Sequence, residues 1–149
     1  MPKTTAAVDL AEDAFYDRAV DDGTLRAELG HDSDDERIHR GRAADLFDQE
    51  NRPQASAFPL LSFFGVTGPE IGGGYGRVQI QCDIGVWRWG EDGGQEKLKA
   101  IDAALLGLFH EQAWTYDGRR FFCPRTSWRR GDDPELLHRV REFAVHVGG

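Results

Sequence analysis

Lysine, cysteine and long apolar runs are all scarce in this sequence. Lysine occurs only at Lys3, Lys97 and Lys99, so almost all of the 18 basic residues are arginines. They stand against 26 acidic residues, which leaves a formal net charge of -8. This balance argues against a protein that coats nucleic acid, because such binding needs clustered cations that displace counterions from phosphates. Arginine in place of lysine favours planar, bidentate pairing over loose point charges.

The small number of cysteines excludes most metal and disulfide frameworks. Cys82 and Cys123 lie in separate predicted strands, and no second pair is present to complete a zinc site. We interpret both as buried free thiols. If the two strands are neighbours, an oxidising environment would also permit a disulfide between them.

Membrane and secretion signals are missing as well. No apolar run approaches the ~20 residues that a membrane-spanning helix requires, and residues 1–5 lack the apolar core of a signal peptide. We therefore expect a protein made in the cytoplasm and without membrane contact. Its 149 residues, of which 40% are hydrophobic, suit one domain with one core.

No pattern predicts a catalytic or cofactor site. The glycine-rich segment 72–76 leads into a strand and lacks the Lys-Ser/Thr pair of a phosphate-binding loop. No serine has the Gly-x-Ser-x-Gly setting of a hydrolase nucleophile, and the acidic clusters lack calcium-loop spacing. We therefore predict no enzyme activity, no cofactor and no metal. The histidines, which also lack metal-ligand spacing, are His31, His39, His110, His138 and His146.

Hydrophobic periodicity predicts two helices. Residues 6–21 place Val8, Ala11 and Phe15 at helical intervals, and a short leucine turn follows, which Gly30 can end in the left-handed conformation. The second helix ends near His110. Its apolar positions are Leu98, Ile101, Leu105 and Leu108.

Alternation of apolar and polar residues predicts the strands, most clearly over residues 77–89. The resulting order is α-β-β-β-α-β-β with short connections. It predicts a single α+β domain, in which a mostly antiparallel sheet of about four to five strands carries two helices packed on one face. The predicted strands are 37–41 (a short edge strand), 58–66, 77–89, 119–130 and 137–147.

The face of the sheet without helices must then meet water or a partner. Large aromatic residues on such a face favour protein contact. The loop 67–76, rich in glycine, joins two strands of a hairpin, and we expect it to be mobile and to insert against a neighbouring subunit. The aromatic residues expected on or near the open face are Trp87, Trp89, Phe122 and Trp128.

Charge is segregated along the chain, with arginines in residues 119–130 and acids in the first helix. A subunit with an acidic helix side and an arginine-rich strand side can join head to tail with copies of itself. Such contacts make a ring when they close. The alternative is that these arginines form the solvent face of an edge strand, and composition favours neither interpretation.

Three segments together resemble the tail terminator, or tail completion, proteins of long-tailed bacterial and archaeal viruses. Residues 15–25, FYDRAVDDGTL, resemble the opening helix of that family and its short leucine turn. Residues 58–63, FPLLSF, resemble its Phe-Pro-hydrophobic strand, and residues 79–87, QIQCDIGVW, resemble the strand before its second helix. The resemblance covers nearly the whole chain and rests on pattern and order. The acidic segment 31–36 and the extended segment 45–57 depart from it.

The resemblance implies a virion protein, assembled in the host cytoplasm, that forms a hexameric ring on the finished tail tube. The ring would end tail elongation and provide the surface for joining the head, without catalysing a reaction. Its partners would be other copies of itself, the tail tube protein and the head-tail connector or neck proteins, with DNA only passing through the lumen. Our subunit-interface candidates are Arg125, Arg129, Arg120, Asp9 and Asp13, and our tube or neck candidates are Trp87, Trp89, Tyr75 and Gly73.

Two other functions remain open at this point. One is another ring-forming neck or head-completion protein of the same particle. The other is a small cytoplasmic ligand-binding or enzyme domain with the same α+β layout, since one fold serves many functions. The latter needs a concave pocket with polar groups of shifted pKa, and the sequence offers no candidate cluster for it.

Overall fold

The computed structural model describes residues 6–41, 56, 58–67, 70–72, 75–87, 94–131 and 136–148. Within these ranges the helices are α1 (Ala7–Asp21), α2 (Gly23–Leu29) and α3 (Gln95–Phe109). The strands are β1 (Ile38–Arg40), β2 (Leu60–Thr67), β3 (Glu70–Gly72), β4 (Tyr75–Trp87), β5 (Ala113–Tyr116), β6 (Arg119–Arg130) and β7 (Leu136–Gly148).

The first two helices are separated by a capped break at Asp22. Its carboxylate accepts a hydrogen bond from the backbone N–H of Leu25 at 2.9 Å, which satisfies one unpaired donor at the start of α2. The helix ends at Gly30, which has a φ of 71° and so adopts the left-handed conformation predicted for it. The leucine turn of the sequence is therefore a short helix of its own.

One sheet contains all the described strands. They follow the order β1-β2-β4-β7-β6-β5, and β3 pairs with β4. Every pairing is antiparallel except that of β1 with β2. The central pair, β4 with β7, runs in unbroken register from Gly76 opposite Val147 to Trp87 opposite Leu136.

The sheet has one face covered by helices, the helix face, and one face without helices, the open face. Side chains along β4 point alternately to these two faces. On the helix face, apolar side chains pack under α1 and α3 and are almost fully buried: Val78, Ile80, Cys82, Ile84 and Val86. On the open face lie the side chains of Arg77, Gln79, Gln81 and Asp83. This alternation is the one predicted from the sequence.

An aromatic cluster centres the core on the helix face. The ring of Phe15 on α1 stacks on Phe109 of α3, with ring centroids 4.4 Å apart. The same ring contacts Phe63 on β2 and Phe143 on β7 at 6.1 and 5.5 Å. These contacts join both long helices to β2 and β7, the two strands that flank β4.

The sheet curls around α1. The Asp17 carboxylate accepts a hydrogen bond from the Tyr116 hydroxyl of β5 at 2.6 Å, and it lies 3.6 Å from the Arg40 guanidinium of β1. Since β1 and β5 end the strand order at opposite edges, one side chain can reach both only if the edges curve towards the helix. The helix face is therefore concave and the open face convex.

The α+β class, the mostly antiparallel sheet and the helices on one face are confirmed. The strand count is wrong: seven strands are present among the described residues, because β3 and the four-residue β5 have patterns too short to stand out. The two cysteines do not lie on neighbouring strands, since β7 separates β4 from β6. Strands are spaced by roughly 4.8 Å, so Cys82 and Cys123 lie too far apart for a disulfide. Both are free and buried.

None of the helices formed by the described residues has the length and apolarity needed to cross a bilayer.

Candidate assembly surfaces

A bulge in β6 decides which of its side chains reach the open face. The register with β7 shifts between Phe122 and Arg125, so one extra residue enters the strand and reverses its alternation. Before the bulge, Arg120 and Phe122 point to the open face. After it, Arg125 and Arg129 do so, opposite Ala144 and Val140 of β7. The bulge thus collects the three predicted interface arginines of β6 on one face.

These arginines differ in their partners. The Nε atom of Arg129 lies 3.8 Å from a Glu142 carboxylate oxygen, and the other oxygen of that carboxylate accepts a hydrogen bond from Gln79 at 2.8 Å. By contrast, Arg120 and Arg125 are exposed and have no ion pair within the described part of the chain. Their positive charges are therefore available to pair with an anionic group of another molecule.

An exposed aromatic ring lies between those two arginines. Phe122 is 40% exposed, and its open-face neighbours across the strands are Ala113 on β5 and His146 on β7. A shallow depression beside it is lined by Ala113, Arg120, Phe122 and His146. We call Arg120, Phe122 and Arg125 the arginine patch. An aromatic centre flanked by arginines is typical of protein interfaces.

The two predicted acidic candidates on α1 have different surroundings. Asp13 already forms a salt bridge with Arg40 of β1, whose guanidinium also lies over the Tyr16 ring at 4.3 Å. Asp9 is exposed and has no ion pair among the described residues. The structure therefore leaves Asp9 available and commits Asp13 to holding β1 against α1.

A wide groove runs between the C-terminal half of α1 and β5, with a volume of about 570 Å³. Its walls carry Asp17, Asp21 and Asp22, and its floor contains Trp114 and Leu108. The Arg18 guanidinium lies 4.9 Å from the centroid of the Trp114 ring, and its Nε donates to the Leu108 carbonyl at 3.2 Å. We call this feature the acidic groove. It lies on the helix face, opposite the side that bears the arginine patch.

The hydroxyl at the rim of this groove is held in its protonated form. The hydrogen bond from Tyr116 to the Asp17 carboxylate raises the pKa of Tyr116 to about 12, with burial and the negative charge of Asp17 acting in the same direction. The bond joins β5 to α1 and so fixes the width of the groove.

A buried ion cluster fastens α3 to the sheet. Asp102, which is 4% exposed, accepts from Arg141 Nε at 3.0 Å and from Arg141 Nη2 at 2.6 Å. It also accepts from Arg139 Nη1 at 2.7 Å, and the Arg139 guanidinium lies 4.2 Å from the centroid of the Trp128 ring. A bidentate pair with a second arginine satisfies a carboxylate that would otherwise be costly to bury.

Of the predicted tube and neck candidates, Trp87 alone has a side chain among the described ones. Trp87 lies on the open face but is half-buried, with its ring stacked 6.3 Å from that of Phe58. Tyr75 begins β4, and Trp89 and Gly73 lie outside the described residues, as does most of the segment 45–57.

Trp128 does not lie on the open face, contrary to our expectation. Although 51% exposed, it lies opposite Arg141 and shares the helix face with Arg139. The reason is the β6 bulge, which places the even-numbered Phe122 and Trp128 on opposite faces.

The residue pattern did not lead us to Trp114 and Tyr116 of the acidic groove or to the Asp102 cluster. Two signals were present. Residues 113–118, AWTYDG, alternate and end in Asp-Gly, which is typical of a hairpin turn, and Asp117 and Gly118 have φ angles of 49° and 73°. Asp102 follows Ile101 on the apolar side of α3, where a lone carboxylate needs a buried cation.

The described residues contain no group of three or more His, Cys, Asp or Glu side chains that could hold a metal ion.

The chain matches no protein-family model, and it matches no curated protein. It is similar in structure to a chain of the virion of a native gene transfer agent particle. The similarity covers 97% of this chain and 98% of that chain, with a TM-score of 0.65 and 15% sequence identity. At this identity, what the two chains share is the fold.

Proposed function

We propose that this protein is a structural, non-enzymatic component of a phage-like virion. More specifically, it forms a ring, hexameric by the family resemblance, that caps the tail tube and offers the surface to which the head joins. The observation that carries the proposal is the fold similarity to a virion chain, which spans nearly the full length of both chains. The resemblance of segments 15–25, 58–63 and 79–87 to tail terminators supports the same role independently.

Opposite charges on opposite faces support the ring. The arginine patch lies on the open face, whereas Asp9 and the acidic groove lie on the side of α1. Surfaces that differ in this way allow a heterologous contact, in which each copy uses one surface and leaves the other for the next copy. Six such contacts that close give a ring.

The mechanism is geometric. Free subunits associate weakly through contacts of modest area, and a finished tube end holds several of them at high effective concentration, so that they close cooperatively. DNA passes through the lumen without being held, in agreement with a net charge of -8. The tail tube and the neck proteins are then the two partners of the ring, one on each side, and the virion is its location.

Charge reversal tests the subunit contact. The variant Arg125→Glu/Arg129→Glu should remain folded, because both side chains are exposed, and should fail to form rings at any concentration or on tube ends. The matched control is Arg26→Glu/Arg130→Glu, which changes the same charge at two exposed positions off the open face. Rings formed equally well by both variants would contradict this contact.

Imaging with partners separates the proposed role from the nearest alternative. A tail terminator binds the ends of isolated tail tubes, whereas another neck or head-completion ring binds the emptied head vertex and ignores the tubes. Purified protein mixed with each structure and viewed by negative stain should decorate tube ends. Decoration of the vertex alone would assign the protein to the neck instead.

A further inference from the structure

We propose that the acidic groove between α1 and β5 is the socket that receives the arginine patch of a second copy. This inference rests on the proposed ring and deepens it, because it names both halves of the subunit contact. It moves the acidic half from Asp9 and Asp13, the candidates suggested by sequence, to Asp21 on the groove wall.

The groove has a carboxylate with no internal partner. Asp17 is already held by Tyr116 and lies beside Arg40, and Asp22 caps α2. Asp21 is exposed and has no ion pair or hydrogen bond among the described residues. Three aspartates face Arg18 in the groove and Arg40 beside Asp17, which leaves a net negative charge, so the groove favours a guanidinium over an anion.

The rim of the groove also suits a guanidinium. Arg18 already covers a face of the Trp114 ring, so the aromatic surface offered to an incoming guanidinium is the Tyr116 ring on β5. A planar cation over an aromatic ring gains from the ring quadrupole, and more so when water is displaced. A volume of about 570 Å³ is ample for the side chains of a short strand segment.

The arginine patch provides the complementary group within the same sequence. Arg120 and Arg125 are exposed without ion pairs among the described residues, and Phe122 projects between them as an apolar anchor. Arg129 is a poorer donor for this contact because Glu142 lies 3.8 Å away. Since the patch and the groove lie on opposite faces, a copy that fills its neighbour's groove keeps its own groove free.

A charge exchange tests the contact directly. Asp21→Arg and Arg125→Asp, each alone, should raise the protein concentration needed for half-assembly by roughly tenfold or more, since each places like charges together. The double variant Asp21→Arg/Arg125→Asp should recover to within about threefold of the unmodified protein, because the pair is restored in reverse. Asp34→Arg and Arg130→Asp are the controls; both residues are exposed and lie away from the two surfaces.

Cross-linking gives a second readout that is independent of charge. Asp21→Cys protein mixed with Arg125→Cys protein should yield a cross-linked dimer with a short bis-maleimide, whereas neither protein should do so alone. The native Cys82 and Cys123 are 0% exposed and should stay unmodified.

The outcomes separate this inference from the ring itself. Rings that persist in both single variants, without a cross-link in the mixture, overturn the groove as the socket and leave the ring proposal standing. An unmodified protein that stays monomeric at all concentrations and ignores tube ends overturns both. Loss in each single variant with recovery in the double variant establishes the contact.

Discussion

Arginine and phenylalanine side chains occur on both faces of the sheet, but their surroundings differ between the two faces. On the helix face, Arg141 is buried and bidentate to Asp102, and Phe143 lies in the aromatic cluster. On the open face, Arg125 is exposed and unpaired among the described residues, and Phe122 is 40% exposed. Most of the core therefore lies on the helix face, although Leu60, Leu136 and Val140 are buried on the open face. Changes at the exposed residues of the open face should affect assembly while leaving folding nearly intact.

The largest expected difference lies between two phenylalanines. Phe15→Ala should lower the free energy of unfolding by about 3–5 kcal/mol, because it removes the ring that contacts four others in the core. Phe122→Ala should lower it by less than about 1 kcal/mol, since the ring is only partly covered. Urea unfolding at pH 7 measures both. Equal losses would show that the open face also contributes to the core.

The second largest difference in unfolding free energy is expected between a carboxylate of the helix face and one of the open face. Asp102→Ala leaves two arginines near each other on the helix face without their anion, and we expect a loss of about 3 kcal/mol. Glu142→Ala removes a half-buried carboxylate of the open face and should cost about 1 kcal/mol or less. The same unfolding experiment serves for both. A small effect at Asp102 would mean that the cluster does not fasten α3.

A pair of glycines tests how closely α1 approaches the sheet. A Cβ atom at Gly65 on β2 would lie 2.7 Å from a Val8 methyl of α1, so Gly65→Ala should destabilise the protein by roughly 1–3 kcal/mol. Gly107→Ala on α3 meets nothing within 4 Å and should be stabilising by about 0.5–1 kcal/mol. Thermal unfolding would show the opposite signs. A destabilising Gly107→Ala would place an unseen neighbour beside α3.

The last expected effect is a pH dependence of the hydrogen bond between Tyr116 of β5 and Asp17 of α1. The Asp17 hydrogen bond raises the pKa of Tyr116 to about 12, so the folded state keeps a proton that the unfolded chain loses near pH 10. The stability from this bond is complete below pH 10 and is lost as pH rises to about 12. Burial raises the pKa of Cys82 and Cys123 with the same sign, so the comparison must be with Tyr116→Phe.

In that comparison, the stability advantage of the unmodified protein over Tyr116→Phe should shrink between pH 10 and 12. An advantage that is constant across this range would show that the Tyr116 hydroxyl does not depend on Asp17.

Most of the sheet was predictable because its strands are long and one-sided. Residues 77–89 and 119–130 alternate over many positions, and the strands found are Tyr75–Trp87 and Arg119–Arg130. The register of the strands and the curl of the sheet were not predictable. In RRFFCPRTSWRR, Pro124 lacks the N–H for a ladder hydrogen bond and is typical of a bulge, but only the structure gives the register with β7 and the face of Trp128. Asp17 reaches both edges only through tertiary packing. Candidate interface residues could be chosen from the sequence by residue type, but only the structure shows on which face of the sheet each of them lies.

The proposed function depends on subunits that form a ring on the end of a tail tube. The most direct measurement is the mass of the purified protein across a concentration series, followed by negative-stain imaging of the same samples with and without tail tubes. We expect weakly associated subunits that close into six-fold rings on tube ends. A protein that stays monomeric throughout and leaves tube ends bare would contradict it.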